Sequence, residues 1–339
     1  MCKASDEPGG PKRCSADARA RAQQSHDQVE ELERRARAIS AQLDAGRTYG
    51  SEQAFRAALN TRIRAIAKDT GADGVEIARR FALQQFISRL FDRHPSAFVV
   101  TGGTALQFRT EEARTTADLD LAATAMVDDL SAALNAAGQR RGGEHGDFEV
   151  SVTATSPGSF TGRILYRLNG ARFAVAKLDV VVGREFPFDP DVVVPAPIVA
   201  IDDVLPMPRV RAYAVASHVA DKVAAMYETH GSAGTSPSTR SHDLADIVIL
   251  SRCAVVDAGE LRAAVRGQEA RRGVTVPTPL VLPSSEWRRS YPARVAAGGA
   301  PEELRDVDEA LVAADRFVGA VLDGRVESGT WDPHQRAWI

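Results

Sequence analysis

The pattern that most constrains this chain is an apolar run, Phe98-Val99-Val100, that reaches Gly102-Gly103-Thr104 and is followed by Asp118-Leu119-Asp120. The run reads as a strand, the glycines as a turn, and Ala105 to Thr110 as a short helical segment leading to a second strand. Side chains two apart on a strand share a face, so Asp118 and Asp120 present both carboxylates together. Paired hard oxygens suit Mg²⁺, which takes one or two protein carboxylates and leaves its other positions to water and phosphate. Glycines at the end of the first strand let the backbone approach a phosphate and aim N–H groups at it. Together these residues point to a site for a metal-bound nucleoside triphosphate.

A third carboxylate strengthens that reading. Asp179 lies in the middle of an apolar strand, Lys177 to Gly183, where a charged group is expensive unless it is paired or binds metal. Three carboxylates on adjacent strands beside a phosphate turn are what a two-metal displacement on a nucleotide requires. Taken alone, the Asp-x-Asp pair also fits solvated carboxylates on an edge strand, or a metal-dependent glycosyltransferase.

Around this centre, Ser51 to Lys68 and Gly74 to Asp92 read as amphipathic helices, the second burying Ile77, Phe81, Ile87, Leu90 and Phe91. Val127 to Ala137 reads as a further helix. Phe148 to Thr155, Arg163 to Leu168 and Phe173 to Val182 form a meander, with a hairpin-turn signal at Asn169-Gly170. Two Pro-rich stretches mark a boundary near 209, beyond which the chain reads as mostly helical: Val210 to Thr229, Ser241 to Arg252, Ala258 to Arg271 and Pro301 to Leu322. Trp287 and Tyr291 are expected in a loop. Ahead of all this, Met1 to Pro11 reads as disordered, and Ser15 to Ala45 as a helix with a coiled-coil-like seam of Val29, Leu32, Ala36, Ile39 and Leu43.

The net charge of -3 excludes a globally basic nucleic-acid binder, so any such contact must come from a local patch. Cys2, Cys14 and Cys253 have no metal-ligand spacing and are odd in number, which argues against a disulfide framework and for a reducing compartment. No apolar run approaches a membrane span and the N-terminus lacks a signal-peptide core, so a soluble, cytoplasmic protein without a membrane partner is expected.

Several of these segments, in this order, resemble the AbiEii/MenT nucleotidyltransferases, toxins of type IV-style toxin–antitoxin systems within the DNA polymerase β-like superfamily. The similar stretches are Gly102 to Leu106, Arg114 to Asp120, Leu178 to Gly183, the helix around Lys222, and Arg240-Ser241-His242-Asp243-Leu244-Ala245-Asp246. The Trp287 region and the Trp331 to Pro333 ending also fit, so the resemblance covers roughly residues 55 to 335. Two positions depart from the family pattern: Thr101 stands where Lys is frequent, and His242 stands where Lys precedes the motif aspartate.

The resemblance implies an α+β fold, with a polymerase β-like domain built on a small mixed sheet and joined to a mostly helical C-terminal half. The implied divisions are a tail plus extra helix over 1–50, the nucleotidyltransferase domain over 51–208, and a helical domain completing the cleft over 209–339. It implies that Asp118 and Asp120 hold Mg²⁺ or Mn²⁺ and that Asp179 completes the metal or base site. Lys222 would hold the triphosphate, with Asp243 across the cleft orienting it. Gly102, Gly103, Thr104, Arg114, Thr116 and Arg240 would complete the NTP site. For Arg114, an ion pair with Glu111 or Glu112 and a brace on Asp118 remain open alternatives.

The implied reaction is Mg²⁺-dependent transfer of NMP from an NTP to an acceptor hydroxyl, most naturally a tRNA 3′ end, which blocks translation. A cognate antitoxin encoded nearby is the implied partner. Rival readings keep the site but label protein, bind nucleotide without catalysis, or use a nucleotide sugar. His242-Asp243 also spells an HD-type phosphohydrolase pair, although His218 and His230 do not sit in a matching context. For the acceptor, Arg262, Arg266, Arg271, Arg272, Arg288, Arg289 and Arg294, interleaved with Trp287 and Tyr291, are the expected grip on a single-stranded RNA end.

Overall fold

The computed structural model of the chain describes residues 46–124, 129–141, 143–230, 235–298 and 301–339, together with positions 34, 37 and 41, which are helical. The seam expected within 15–45 lies outside the described residues.

Two helices open the catalytic half. In α1 (Glu52–Thr70) the Ser51 side chain accepts from the Ala54 N–H at one end, and Gly71 closes the other in a left-handed conformation. Helix α2 (Gly74–Arg93) is N-capped by Asp73 and buries the five apolar residues expected of it. It delivers the chain to β1 (Phe98–Thr101), then to α3 (Gly102–Gln107) and β2 (Asp118–Ala123). Helix α3 begins at the glycines themselves, two to three residues earlier than expected, because the turn is also the first turn of the helix.

After α4 (Leu130–Gly138) come β3 (Asp147–Ser156), β4 (Ser159–Leu168) and β5 (Ala171–Val182). The β4–β5 connection is Asn169-Gly170, with φ of +52° and +70°, the two-residue turn that the right-handed twist of paired strands favours. Short strands β6 (Asp191–Val193) and β7 (Val210–Ala212) complete a seven-stranded mixed sheet in the order β3-β4-β5-β2-β1-β7-β6. The α+β class is as expected.

Val210 to Ala212 pairs parallel to β1 instead of starting a helix, and the apolar cluster of the sheet half runs through Ala212. A second cluster, which also takes in Leu106 and Ala113, holds the helical half from Val215 onward. That half contains α5 (Val215–Tyr227), α6 (His242–Cys253), α7 (Ala258–Arg272) and α8 (Trp287–Ala297).

Helix α8 corrects the loop expected around Trp287 and Tyr291. Pro292 reads as a breaker, but Trp287, Tyr291 and Val295 form one buried stripe at helical spacing, and packing overrides the proline. The last expected helix is interrupted: Asp306 caps the N–H groups of Asp308 and Glu309 and starts a new helix, Val307–Ala314, followed by a π-helical turn over Asp315–Gly319. Among the described residues, no helix is long and apolar enough to cross a membrane.

Candidate active site

The parallel β2–β5 pairing sets the site. Asp120 stands directly opposite Asp179, and Asp118 opposite Lys177, so the three carboxylates share one face of the sheet centre. On its other side Asp120 faces Thr101 of β1. The turn after β1 then wraps this carboxylate. Gly102 has φ +59°, and a Cβ there would fall 1.9 Å from Asp120 Oδ2. Glycine is therefore needed at 102 for both conformation and room. Gly102→Ala is expected to lower activity about a hundredfold by displacing Asp120, because misplacement of about 1 Å has that effect, while the chain stays folded. Circular dichroism and turnover on the same sample check this; full activity in the folded variant overturns it.

Burial first, then the neighbouring charges of Asp179 and Asp118, raise the Asp120 carboxyl above its ordinary range. Asp179 is otherwise engaged: its Oδ1 accepts from the Thr161 hydroxyl at 2.7 Å and its Oδ2 from Lys177 Nζ at 2.5 Å. Accordingly, no three-residue metal cluster is preassembled among the described residues. The donor set still fits a small hard cation: Asp118 and Asp120 supply oxygens on one face, and their mutual repulsion is what a cation relieves.

Across the cleft, α5 projects His218, Asp221 and Lys222 at helical spacing onto the site, while α6 supplies Asp243 and Asp246 one turn apart. The Lys222 ammonium is buried and donates to Asp246 Oδ2 at 2.5 Å and Asp243 Oδ1 at 3.3 Å. Burial alone would lower its pKa, but the Asp246 and Asp243 charges outweigh it and keep Lys222 cationic. Arg240 Nε donates to Asp243 Oδ2 at 2.6 Å. Burial would likewise raise Asp243, yet Lys222 and Arg240 hold it at about 2.

The cleft between the two halves is lined by Thr101, Gly102, Asp120, Asp179, Lys222 and Arg240, among others. Of the expected set, Gly102, Asp120, Asp179, Lys222 and Arg240 line this cleft, Asp118 lines an adjoining concavity, and Asp243 is buried against Lys222; the others differ in three ways. Thr104 is buried and its hydroxyl donates to the Asp118 carbonyl at 3.1 Å, and the Thr116 hydroxyl sits against the Asp118 backbone. These two threonines shape the start of β2 instead of lining the cleft. Gly103 packs under Thr116, where a Cβ would meet the threonine Cβ at 3.0 Å. Arg114 reaches neither Asp118 nor Glu111 or Glu112: its Nε donates to Asp246 at 3.0 Å, tying the loop before β2 to the helical half.

His242 is depressed by burial and lies 3.7 Å from Asp243, so it is neutral near pH 7 and does not replace the family's lysine charge. Asp243 itself is held by Lys222 and Arg240, which is not the environment of an HD metal ligand.

Four residues were not anticipated as site residues. Asp246 closes the resembling stretch Arg240 to Asp246 but had no role assigned to it. Arg184, just past the glycine that ends β5, donates to Asp221 at 2.6 Å and to the Tyr213 hydroxyl at 2.7 Å, and so adds a cation to the cleft wall. His218 lies fully buried in that wall with neither ring nitrogen bonded among the described residues, and burial drives its pKa well down. Asp221 and His218 share a helix face with Lys222, the one signal that placed them.

The acceptor grip expected from the C-terminal arginines and aromatics is not assembled. Trp287 and Tyr291 are buried core residues, and the Trp287 indole N–H donates to the Ser238 carbonyl. Arg262 caps the Val321, Val326 and Glu327 carbonyls, Arg272 pairs with Glu228, and Arg288 and Arg289 pair with Asp308 and Glu286.

Residues 82–313 match the family described as nucleotidyl transferase AbiEii toxin, type IV TA system. No curated protein matches the chain. Among solved structures it is similar to MenT4, a nucleotidyltransferase toxin from Mycobacterium tuberculosis H37Rv, at 20% identity and TM-score 0.46, covering 77% of this chain and 89% of that one. It is also similar to JHP933 from Helicobacter pylori, at 12% identity and TM-score 0.43, covering 74% and 94%. A further H. pylori structure, described as a putative nucleotidyltransferase, gives 13% identity and TM-score 0.43 over 72% of this chain and 95% of that one. With its carboxylate face and opposing lysine within the matched span, the chain belongs to the AbiEii nucleotidyltransferase toxin family.

Proposed function

We propose that the protein transfers a nucleoside monophosphate from an NTP to the 3′ hydroxyl of a tRNA, with Mg²⁺ as the metal, and so blocks translation. The observation that carries the reading is the register that sets Asp120 against Asp179 on the sheet, with Lys222 in the facing wall of the same cleft. Asp118 and Asp120 would hold the metal, with Mn²⁺ as a substitute. When bound, the metal neutralises triphosphate charge and lowers the pKa of the attacking hydroxyl.

The chain's own residues do the rest. Gly102 brings backbone close to the phosphates, and Lys222 and Arg240 supply point and fork charges for them. The acceptor oxygen bonds to the α-phosphorus, the bond to the β-phosphate oxygen breaks, and pyrophosphate leaves. Asp179, on the same face, is placed to take the hydroxyl proton once Lys177 turns toward phosphate. As a member of a type IV toxin family, the protein acts in the cytoplasm and is countered by a cognate antitoxin encoded nearby.

The test is incubation with each labelled NTP in turn, total tRNA and lysate protein. Label on tRNA 3′ ends is expected. Label confined to protein sinks the tRNA assignment and favours the same site acting as a protein NMPylase. No NTP consumption leaves only a nucleotide-binding module.

A further inference from the structure

A second, basic concavity adjoins the carboxylate face at Asp118, and Lys222 is not part of its lining. Its inner end is lined by Asp118, Lys177, Arg163, Arg172 and Arg79, and its outer end by Arg172, Arg79, Arg56 and Arg64 with Phe173. The sheet register explains the inner end. Asp118 on β2 faces Lys177 on β5, which faces Arg163 on β4, so the catalytic rung continues directly into two cations.

Arg64, Arg163 and Arg172 are exposed and form no ion pair among the described residues. Arg79 is braced by Glu76 and by the Val175 carbonyl, and Arg56 donates to the Leu168 carbonyl with its guanidinium 5.8 Å from the Phe173 ring. Asp73, the acidic residue at the outer end, caps the first turn of α2. Unpaired surface cations in a row carry no stabilising partner within the fold, and a row of them with one half-buried aromatic is the composition that tracks a nucleic-acid backbone.

We infer that this trough is the acceptor track: the backbone of a single-stranded RNA runs from Arg64 past Arg172 and Arg163 and delivers its 3′ hydroxyl to the Asp118 side of the carboxylates. The inference rests on the nucleotidyl-transfer reading and deepens it. An in-line displacement needs the attacking hydroxyl and the leaving pyrophosphate on opposite sides of the reacting phosphorus. Gly102 and Lys222 line the cleft with Asp120 and Asp179, while the trough meets the same carboxylate face at Asp118 with no lining residue in common. The C-terminal arginines are engaged within the fold, whereas Arg64, Arg163 and Arg172 of the trough form no ion pair among the described residues.

The test uses full-length protein and a short single-stranded RNA with a free 3′ hydroxyl, followed by fluorescence anisotropy across a salt series. Arg64→Glu with Arg172→Glu is expected to weaken binding on the order of tenfold and to lower the log–log salt slope by about 1.4, since each phosphate contact on a single strand contributes about 0.7. Arg64→Gln with Arg172→Gln gives an intermediate loss. NTP binding by calorimetry is unchanged in both. Wild-type protein that does not bind the RNA, variants that bind it as wild type does, or polyglutamate that displaces it at equal charge each overturn the track. Labelled transfer separates this inference from the reading beneath it. RNA binding lost in the variant, with no transfer by wild type to any acceptor, keeps the track and removes the transferase. Equal transfer to RNA by wild type and variant does the reverse.

Discussion

Replacing Asp120 with Asn is expected to lower nucleotidyl transfer on the order of 10³-fold while raising the thermal midpoint of the protein. The two effects have one origin. Asp120 is half-enclosed by the Gly102 turn and stands opposite Asp179, with Asp118 on the same face. Burial and these like charges raise its carboxyl, which means that the ionised form is the unfavourable one in the folded chain. Asn keeps the shape and removes the repulsion, so stability rises. On the proposed reading it also removes a hard anionic oxygen from the place where a cation and a triphosphate would meet, and a metal there would contribute several kcal/mol, equivalent to about three decades of rate.

The pH dependence follows from the direction of the shift. A carboxyl raised on folding binds its proton in the native state at higher pH than in the unfolded chain. The stability penalty is therefore full at neutral pH and eases as pH falls through the raised value. The midpoint difference between Asp120→Asn and wild type is expected to be largest near neutrality and to narrow in acid. Added Mg²⁺ should raise the wild-type midpoint and leave the variant unmoved, because a ligand that binds only the native state stabilises it by mass action. A variant that keeps its activity, or whose midpoint falls at neutral pH, contradicts this account.

Much of the catalytic strand arrangement was legible because it is local. Asp118 and Asp120 share a face by strand period alone, and Asn169-Gly170 announces its own turn. That Asp179 lies beside Asp120 is not local: it depends on β5 pairing parallel to β2 in one register, which the apolar pattern of either strand does not specify. Thr104 and Thr116 illustrate a different limit. A hydroxyl beside a phosphate turn reads equally well as a ligand contact or as a backbone brace, and the Asp118 carbonyl takes the Thr104 hydroxyl.

The aromatic grip failed for a related reason. Trp287 and Tyr291 interleave with arginines in sequence, but on a helix their four-residue spacing puts them on one face, and that face is the core. Arg163 and Lys177, far apart in the chain and unremarkable singly, become neighbours only through the antiparallel β4–β5 register. Asp246 stands in the resembling stretch without a role, since a carboxylate one turn from Asp243 gives no sign in sequence of which cations it will meet.

Those cations make Asp246 the residue on which the two halves depend most. It is fully buried, accepts from Lys222 of α5, and accepts from Arg114 of the loop that leads into the catalytic strand. Asp246→Asn preserves volume but leaves two cations facing one another with only Asp243 to share. Removing one partner of a buried ion pair costs about 3–5 kcal/mol, so a fall of that size in unfolding free energy is expected, read from the denaturant midpoint. Lys222→Met differs in kind. It removes the buried cation, leaves Asp243 with Arg240 and Asp246 with Arg114, and so destabilises less than Asp246→Asn. Its effect on transfer should be the greater, because the charge proposed to meet the triphosphate is gone while the carboxylates still have partners. The expected ranking is therefore crossed: Asp246→Asn is worse for stability and Lys222→Met worse for turnover at saturating NTP. If both variants fall in the same order on both measurements, the Lys222 charge serves the fold alone and the triphosphate must be held from elsewhere in the cleft, with Arg240 and Arg184 the cations that remain in its wall.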